Sequence, residues 1–290
     1  MQNRRRFLKN TTLISAGILL TSCEFGATSK KAGIQLYSLR DIIGNDVKGT
    51  IAAVAAAGYK EVEMYGLSAD QQFFGWKVKD FAALLQQQQL TSPSGHYSPE
   101  KYLFENGSDD EVKKLCDVAR TMSHRYIVIP WLKEEKRKTI DQYKQLADRI
   151  SKAAVICKAE GIELAYHNHD FEFADINGQN GYDILLKETD STMLMMQLDL
   201  YWVVKAGYDP IEILKSYPDR FPMLHVKDMD KIDETKNTEV GNGSINFKKI
   251  FEHASKAGVK HYYVEQENNY QPDILGSINR SSNFLRKKLF

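Results

Sequence analysis

Short apolar, strand-like segments alternate with helix-like segments along most of the chain, and this alternation constrains the fold more than any other feature. Residues 32–39 (AGIQLYSL) precede an alanine-rich helical stretch at 47–58, and the same order recurs to give eight units. Three predicted helices end just before a strand at Gly58, Gly161 and Gly258, because glycine readily adopts the left-handed C-cap conformation. Strands separated by helices predict right-handed crossovers and a parallel sheet.

Eight such units in 290 residues favour a closed (β/α)8 barrel, the TIM barrel, over an open doubly wound sheet. The first strand is not followed by GxGxxG or GxxxxGK[ST], which argues against a nucleotide-binding sheet. A hydrophobic content of 42% is sufficient for one large core. We therefore predict an α/β fold with a single barrel domain over residues 32–290.

The N-terminal residues have the layout of an export signal. A basic start at residues 4–9 precedes an apolar run, Leu13–Leu20, that is too short to span a bilayer as a permanent helix. Small residues follow, and residues 20–23 (LTSC) resemble a bacterial lipobox that ends at Cys23. We predict an export signal over residues 1–22.

Lipidation of Cys23, followed by a tether over residues 23–31, would make the mature protein an exported lipoprotein. We expect it in the periplasm or at the outer membrane of a bacterium, in contact with the membrane through its lipid anchor only. The alternative is an ordinary secretory signal with an incidental cysteine. With 39 basic and 38 acidic residues the formal charge is +1, which predicts no nucleic-acid partner; the oligomeric state stays open.

Polar residues at the strand ends are the candidates for an active site, because barrel enzymes build it at the carboxyl ends of the strands. The period-two alternation of a strand places one titratable residue from each of strands five to eight on the inward face. These residues are His167, Asp199, His225 and Glu265. Two imidazoles and two carboxylates suit one divalent cation, such as Mn, Co or Zn. Without a cation, four such groups facing one cavity require other neutralising partners.

Other residues near strand ends are candidates for substrate contact or proton transfer. Aromatic rings there can stack on the C–H faces of a sugar, although packing is their commoner role. The candidates for substrate contact are His96, Tyr37, Trp131 and Trp202. The same alternation turns further titratable groups inward, namely His169, Lys227, Glu63 and Glu267.

Several motifs resemble the sugar isomerase/epimerase family of xylose-isomerase-like barrels, which includes inosose dehydratases and ketose 3-epimerases. They include GIQLYSLRD (33–41), YHNHDFEF (166–173), LHVKDM (224–229) and VEQE (264–267), and the likeness extends over nearly all of the chain after the signal. The resemblance implies a divalent metal held by Glu, Asp, His and Glu from strands five to eight. Asp199, His225 and Glu265 match this pattern, whereas His167 stands where the family has glutamate.

The resemblance also implies removal of a proton next to a carbonyl of a small carbohydrate, with a metal polarising the oxygen. Glu265 is the first candidate for the base, with His169 or Glu63 as its partner. Lys227 either contacts a substrate oxygen or forms a salt bridge with a nearby acid. In ketose epimerases the two metal-bound glutamates form the acid/base pair, and His167 replaces one of them.

Export favours a free sugar, a keto-sugar or a glycoside as substrate. We predict a sugar isomerase or epimerase. The second prediction, ranked just below the first, is a 3-keto-glycoside lyase that performs β-elimination across C1 and C2 on the same metal site. A non-catalytic sugar-binding lipoprotein is the alternative from another class. A nuclease of the endonuclease IV type would need more metal ligands and a basic face, and would not be exported.

Overall fold

The computed structural model describes residues 30–290. The predicted signal, Cys23 and nearly all of the tether lie outside the described residues. Eight parallel strands close into a barrel in which each strand pairs with the next, and the last pairs with the first. The strands are β1 (Ala32–Gln35), β2 (Glu61–Met64), β3 (Thr91–His96), β4 (Tyr126–Ile129), β5 (Glu163–His167), β6 (Leu194–Asp199), β7 (Met223–Val226) and β8 (His261–Val264). The predicted (β/α)8 barrel is confirmed.

Helices connect the strands and cover the outside of the barrel. Over residues 30–290 they are α1 (Arg40–Ile43), α2 (Val47–Ala56), α3 (Val78–Gln87), α4 (Glu100–Phe104), α5 (Asp109–Met122), α6 (Ile140–Ala159), α7 (Gly181–Lys187), α8 (Leu200–Lys205), α9 (Pro210–Ser216), α10 (Phe247–Ala254) and α11 (Ile274–Phe284). The longest, α6, begins with a capping box in which Thr139 and Gln142 satisfy each other's backbone N–H groups. Within this part of the chain, no helix is both long enough and apolar enough to cross a bilayer.

Strand alternation separates the barrel interior from the layer beneath the helices. Apolar outward residues such as Leu164, Leu198 and Val226 belong to the large core under the helices. The interior is filled by a smaller cluster: Tyr126, Val128, Ala165, Met223 and Tyr263. Because this cluster closes the middle of the barrel, the inward polar residues beyond it are gathered at the carboxyl-end mouth.

The close approach of β1 to β8 inside the barrel requires glycine at position 33. A Cβ atom on Gly33 would lie 2.6 Å from Cδ1 of Tyr263 and 3.0 Å from the carbonyl oxygen of Tyr262. We expect Gly33→Ala to lower the free energy of unfolding by about 1–3 kcal/mol, as other overpacked cores do. Gly44→Ala is the matched control, because nothing lies within 4 Å of a Cβ there. Equal denaturant midpoints for the two variants would contradict this account.

Candidate metal and substrate site

The carboxyl ends of the strands open into a cavity of about 540 Å³. Its walls include most of the residues that the sequence singles out for chemistry or substrate contact. Those residues are His96, Tyr37, Trp131, Trp202, His167, His169 and Glu265. These residues come from six of the eight strand–loop units, and they all face the same cavity.

Four ligand-type side chains meet at the base of this cavity. Nδ1 of His225 lies 3.1 Å from Oε2 of Glu265 and 3.8 Å from Oδ2 of Asp199. Nε2 of His167 lies 4.0 Å from the same Asp199 oxygen. That oxygen is buried and has no hydrogen-bond partner among residues 30–290. Bonds of about 2.0–2.2 Å to a zinc-like cation separate neighbouring donors by roughly 3–4 Å. The donor atoms of Asp199, His225 and Glu265 lie within 4.8 Å of one another and fit such a cation, and His167 adjoins them through Asp199.

A second layer of polar side chains lies directly behind the two histidines. Nδ1 of His167 is 3.0 Å from Oε1 of Gln197, and Nε2 of His225 is 2.5 Å from Oε2 of Glu63. Gln197 donates from Nε2 to Oε1 of Glu63 at 2.7 Å. Glu63 is fully buried and also accepts hydrogen bonds from Gln35 and Ser94. It supports the cluster from behind, and its oxygens are already engaged by these donors.

Burial and charge shift the pKa values of the cluster in different directions. Burial raises the pKa of Asp199 to about 7. Burial would lower the pKa of His225, but the carboxylates of Glu63 and Glu265 outweigh it and raise this pKa to about 10. Burial, reinforced by the charge of His225, holds the pKa of His167 well below its ordinary value. His167 is therefore a neutral imidazole, as a metal ligand must be, whereas His225 is protonated and would release a proton when a cation binds.

Lys227 forms the salt bridge that is one of its two predicted roles. Its side chain is fully buried, and its ammonium group contacts Oε1 of Glu267 and lies 3.6 Å from Oε2 of Glu265. The ammonium also lies 5.0 Å from the ring centre of Trp202. Glu267 lines the cavity. Its spacing of two residues from Glu265 predicts that it faces inward, but the sequence assigns it no chemical role.

His169 is part of an aromatic wall. Its ring centre lies 4.8 Å from that of Trp131, 5.2 Å from Trp202 and 5.4 Å from Phe171. Its Nδ1 is buried and has no hydrogen-bond partner within residues 30–290. Burial lowers its pKa to about 3, so the ring is neutral. Its backbone N–H donates to Oε2 of Glu172 at 2.8 Å, which fixes the turn that carries it.

The rim of the cavity is aromatic, and cationic side chains pack against three of its rings: Arg40 on Tyr37, Arg137 on Trp131 and Lys205 on Trp202. Trp131 and Tyr37 are 48% and 39% exposed, and Tyr65 meets Tyr37 edge-on at 5.1 Å. Such flat apolar faces suit the C–H surfaces of a sugar ring. Within the described residues, the cavity lining contains neither lysine nor arginine, but it contains the carboxylates of Asp170, Glu265 and Glu267. The lining itself therefore contains more carboxylates than permanently cationic side chains.

Comparison with known proteins identifies the family to which this barrel belongs. Residues 51–288 match the sequence profile of the xylose isomerase-like TIM barrel family. An inosose dehydratase from Geobacillus kaustophilus (strain HTA426) is 25% identical over 207 residues, which are 66% of this chain and 64% of that protein. The match thus spans less than two thirds of that relative's length.

Two solved structures also resemble this barrel. A sugar phosphate isomerase/epimerase from Parabacteroides distasonis ATCC 8503 superimposes with a TM-score of 0.80 and 29% identity over 91% of this chain and 96% of that one. The IolI protein, solved with a zinc atom, superimposes with a TM-score of 0.70 and 14% identity over 90% and 99% of the two chains, which shows a shared fold. The profile match over residues 51–288 covers most of the chain. The chain therefore belongs to the xylose isomerase-like TIM barrel family.

Proposed function

We propose that this chain is a metal-dependent enzyme of the sugar isomerase/epimerase type that removes a proton next to a carbonyl of an uncharged sugar or keto-sugar. The observation that carries the proposal is the unpartnered, buried Oδ2 of Asp199, which, among the described residues, faces His225 and His167 at the base of an aromatic cavity. The inosose dehydratase and the sugar phosphate isomerase/epimerase to which the chain is similar support a small carbohydrate as substrate; the preference for an uncharged one is inferred from the carboxylates of the cavity wall.

One divalent cation (Mn, Co or Zn) would be held by the four residues His167, Asp199, His225 and Glu265. The zinc atom in the IolI structure supports this proposal. A cation of this kind, when bound, supplies a Lewis acid that polarises a carbonyl oxygen and stabilises the negative charge developing there. Against the raising effect of burial, the positive charges of the buried Lys227 and of protonated His225 lower the pKa of Glu265, so its side chain is an ionised carboxylate.

Two cavity groups are placed to move protons. Although burial raises the pKa of Glu265, Lys227 and His225 hold it below its ordinary value, so Glu265 is a carboxylate that can accept the proton. His169 presents a neutral ring whose Nδ1 has no partner in the described chain, and it serves the second proton transfer. General acid–base catalysis by such groups typically contributes about 10²–10⁴-fold.

β-Elimination from a 3-keto-glycoside is the second candidate, and the imidazole of His167 is the observation that favours it. Epimerisation by two metal-bound glutamates is not open to a chain with histidine at one of the two positions. Elimination needs one base and one acid: Glu265 takes the proton from C2, the C1–O bond breaks, and the departing oxygen takes a proton that the neutral ring of His169 relays from solvent. Glu265 then returns its proton to solvent, so no net proton is lost. The inosose dehydratase relative is a dehydratase by name, which is consistent with this chemistry.

Proton exchange measured by NMR tests the proposed function. The protein loaded with Mn²⁺, Co²⁺ or Zn²⁺ is incubated in D₂O with free ketoses and with 3-keto-glycosides. We expect metal-dependent incorporation of deuterium next to the carbonyl; a new epimer identifies an epimerase, and a released aglycone with an unsaturated ketone identifies a lyase. A sugar that binds without a metal and is recovered without deuterium would overturn the proposal in favour of a sugar-binding lipoprotein.

The charge of the cavity predicts discrimination against phosphorylated sugars. Three carboxylates and neither lysine nor arginine line the wall in the described residues, and like charges brought together across an interface cost free energy. We expect kcat/KM for a sugar phosphate to be at least about 10-fold lower than for the free sugar. An uncharged O-methyl ether at the same hydroxyl separates charge from bulk; equal losses for the ether and the phosphate would contradict the electrostatic explanation.

We also propose that the protein is an exported lipoprotein anchored through Cys23, which would bring the site into contact with extracytoplasmic sugars. The basic start, short apolar run and LTSC motif of residues 4–23 support this. We expect Cys23→Ala to move the protein from the membrane fraction to the soluble extracytoplasmic fraction. Unchanged membrane association of this variant would contradict lipid anchoring at Cys23.

A further inference from the structure

Each histidine of the proposed metal cluster uses its two ring nitrogens differently. His167 directs Nε2 toward Oδ2 of Asp199, at 4.0 Å, and Nδ1 toward Oε1 of Gln197, at 3.0 Å. His225 directs Nδ1 toward the same Asp199 oxygen, at 3.8 Å, and Nε2 toward Oε2 of Glu63, at 2.5 Å. Glu63 and Gln197 therefore form one buried polar layer, here called the acceptor layer, on the side of the imidazoles that faces away from Asp199.

The hydrogen bonds within the acceptor layer determine which of its atoms can donate. Nε2 of Gln197 lies 2.7 Å from Oε1 of Glu63. Because a carboxylate can only accept hydrogen bonds, the group of Gln197 that faces Glu63 must be its amide nitrogen. The amide oxygen consequently faces His167, and it also lies 2.8 Å from Nε2 of His96. An amide oxygen likewise only accepts. Nδ1 of His167 must therefore carry the hydrogen, which leaves a lone pair on Nε2.

Glu63 is held in place firmly enough to impose this arrangement. It is fully buried and accepts from Nε2 of Gln35 at 2.9 Å and from Oγ of Ser94 at 2.7 Å. Its contact with Nε2 of His225 keeps a hydrogen on that nitrogen, so Nδ1 is the atom that can bind a cation. Carboxylates placed behind metal-bound histidines fix the ring orientation and raise ligand basicity.

We propose that Glu63 and Gln197 are positioning residues that fix the tautomers of His225 and His167, so that the site offers two imidazole nitrogens and two carboxylates to its cation. The inference rests on the proposed function, because it concerns the same cation. Gln197 suits an imidazole at position 167 in particular, since its amide oxygen would face the oxygens of a glutamate there. Imidazole ligands favour zinc and cobalt, whereas oxygen ligands favour manganese and magnesium, so His167 shifts the selectivity of the site toward Zn²⁺ and Co²⁺.

Metal affinities of matched variants test the positioning role. We expect Gln197→Met, which removes the amide at similar length, to weaken Zn²⁺ binding by about 10–100-fold, as loss of such supporting groups does elsewhere. Gln266→Met is the matched control: Gln266 is also buried at the barrel mouth, but its amide donates to the carbonyls of Asn268 and Asn269. Dissociation constants for Zn²⁺ and Mn²⁺ come from competition with a chromophoric chelator. Equal Zn²⁺ affinity of the two variants would overturn the proposal.

Metal selectivity is measured here as the ratio of Zn²⁺ affinity to Mn²⁺ affinity. A change in this ratio is informative, whereas a preference for zinc is not, because most nitrogen and oxygen sites bind zinc more tightly than manganese. We expect His167→Glu to lower the ratio of Zn²⁺ to Mn²⁺ affinity at least about 10-fold relative to the unaltered chain. An unchanged ratio would contradict the selectivity claim.

The tautomers themselves are measurable in the unaltered protein. In the zinc-loaded chain with ¹⁵N-labelled histidine, we expect a hydrogen on Nδ1 of His167 and on Nε2 of His225. A hydrogen on Nε2 of His167 would overturn the inference even if the variants failed to fold. A chain that binds no divalent cation would refute the proposed function, whereas zinc binding that is insensitive to Gln197→Met would refute only the positioning role.

Discussion

Asp199→Asn is expected to abolish stoichiometric metal binding and to lower kcat/KM by at least about 10³-fold, since a Lewis acid contributes several kcal/mol. The substitution replaces Oδ2, the buried oxygen without a partner in the described chain, with an amide nitrogen that cannot ligate a cation. It retains Oδ1, which accepts the backbone N–H of Trp202 at 3.0 Å and caps α8. Asparagine caps helices about as well as aspartate, so the fold is expected to persist.

Asp209→Asn provides a matched control. Asp209 caps α9 by accepting the backbone N–H of Ile211 at 2.8 Å, and it is exposed and does not line the cavity. We expect normal metal content and kinetics for this variant, measured by elemental analysis and steady-state assays beside thermal unfolding. His225→Ala is expected to lose metal as Asp199→Asn does. If either cluster variant kept full metal content and full activity, the proposed site would be wrong.

The second large effect is expected from Glu265→Gln. The amide cannot accept the proton from the carbon next to the carbonyl, so deuterium exchange and turnover should both fall by about 10²–10⁴-fold. Its side-chain oxygen remains a possible ligand, and we therefore expect a smaller loss of metal affinity than with Asp199→Asn. Exchange in D₂O and metal content are measured on the same sample.

His169→Asn separates the two proton transfers. If Glu265 is the base and His169 serves the second step, this variant should keep deuterium exchange at the substrate carbon while losing product formation by about 10²–10⁴-fold. His253→Asn is the control, because His253 lies on α10 with Nδ1 bonded to the backbone oxygen of Lys249. Exchange that survives in Glu265→Gln but not in His169→Asn would reverse the two roles.

The sequence predicts the barrel and the composition of its mouth for a simple geometric reason. Helix-separated strands must be parallel, and parallel strands of a barrel bring all their carboxyl ends to one side. A period of two then distinguishes inward from outward residues in each strand. Together these rules place Asp199 and His225 on the inward face at the same end of the barrel, and the structure shows that the two are register partners in the adjacent strands β6 and β7.

What the sequence could not supply is which polar side chains bond to which across the barrel. The alternation places Glu63 on the inward face, but its contact with His225 joins residues 162 positions apart and depends on side-chain conformations. The sequence alone leaves open which acid pairs with Lys227, and the positions of Glu265 and Glu267 supply that answer. The first strand is also shorter than its apolar run, because the side chain of Gln35 caps a turn that begins at Leu36.

The contacts of Glu63 predict which positions of the barrel should vary together among related proteins. Its two oxygens meet donors from five other positions of the barrel, namely Gln35, Ser94, His96, Gln197 and His225. A substitution at any one of them leaves a buried carboxylate short of a partner, which is costly, so these positions should change together in a lineage. Glutamine in the sixth strand should accompany histidine in the fifth, and the pair would identify the branch of the family in which the ligand set was exchanged.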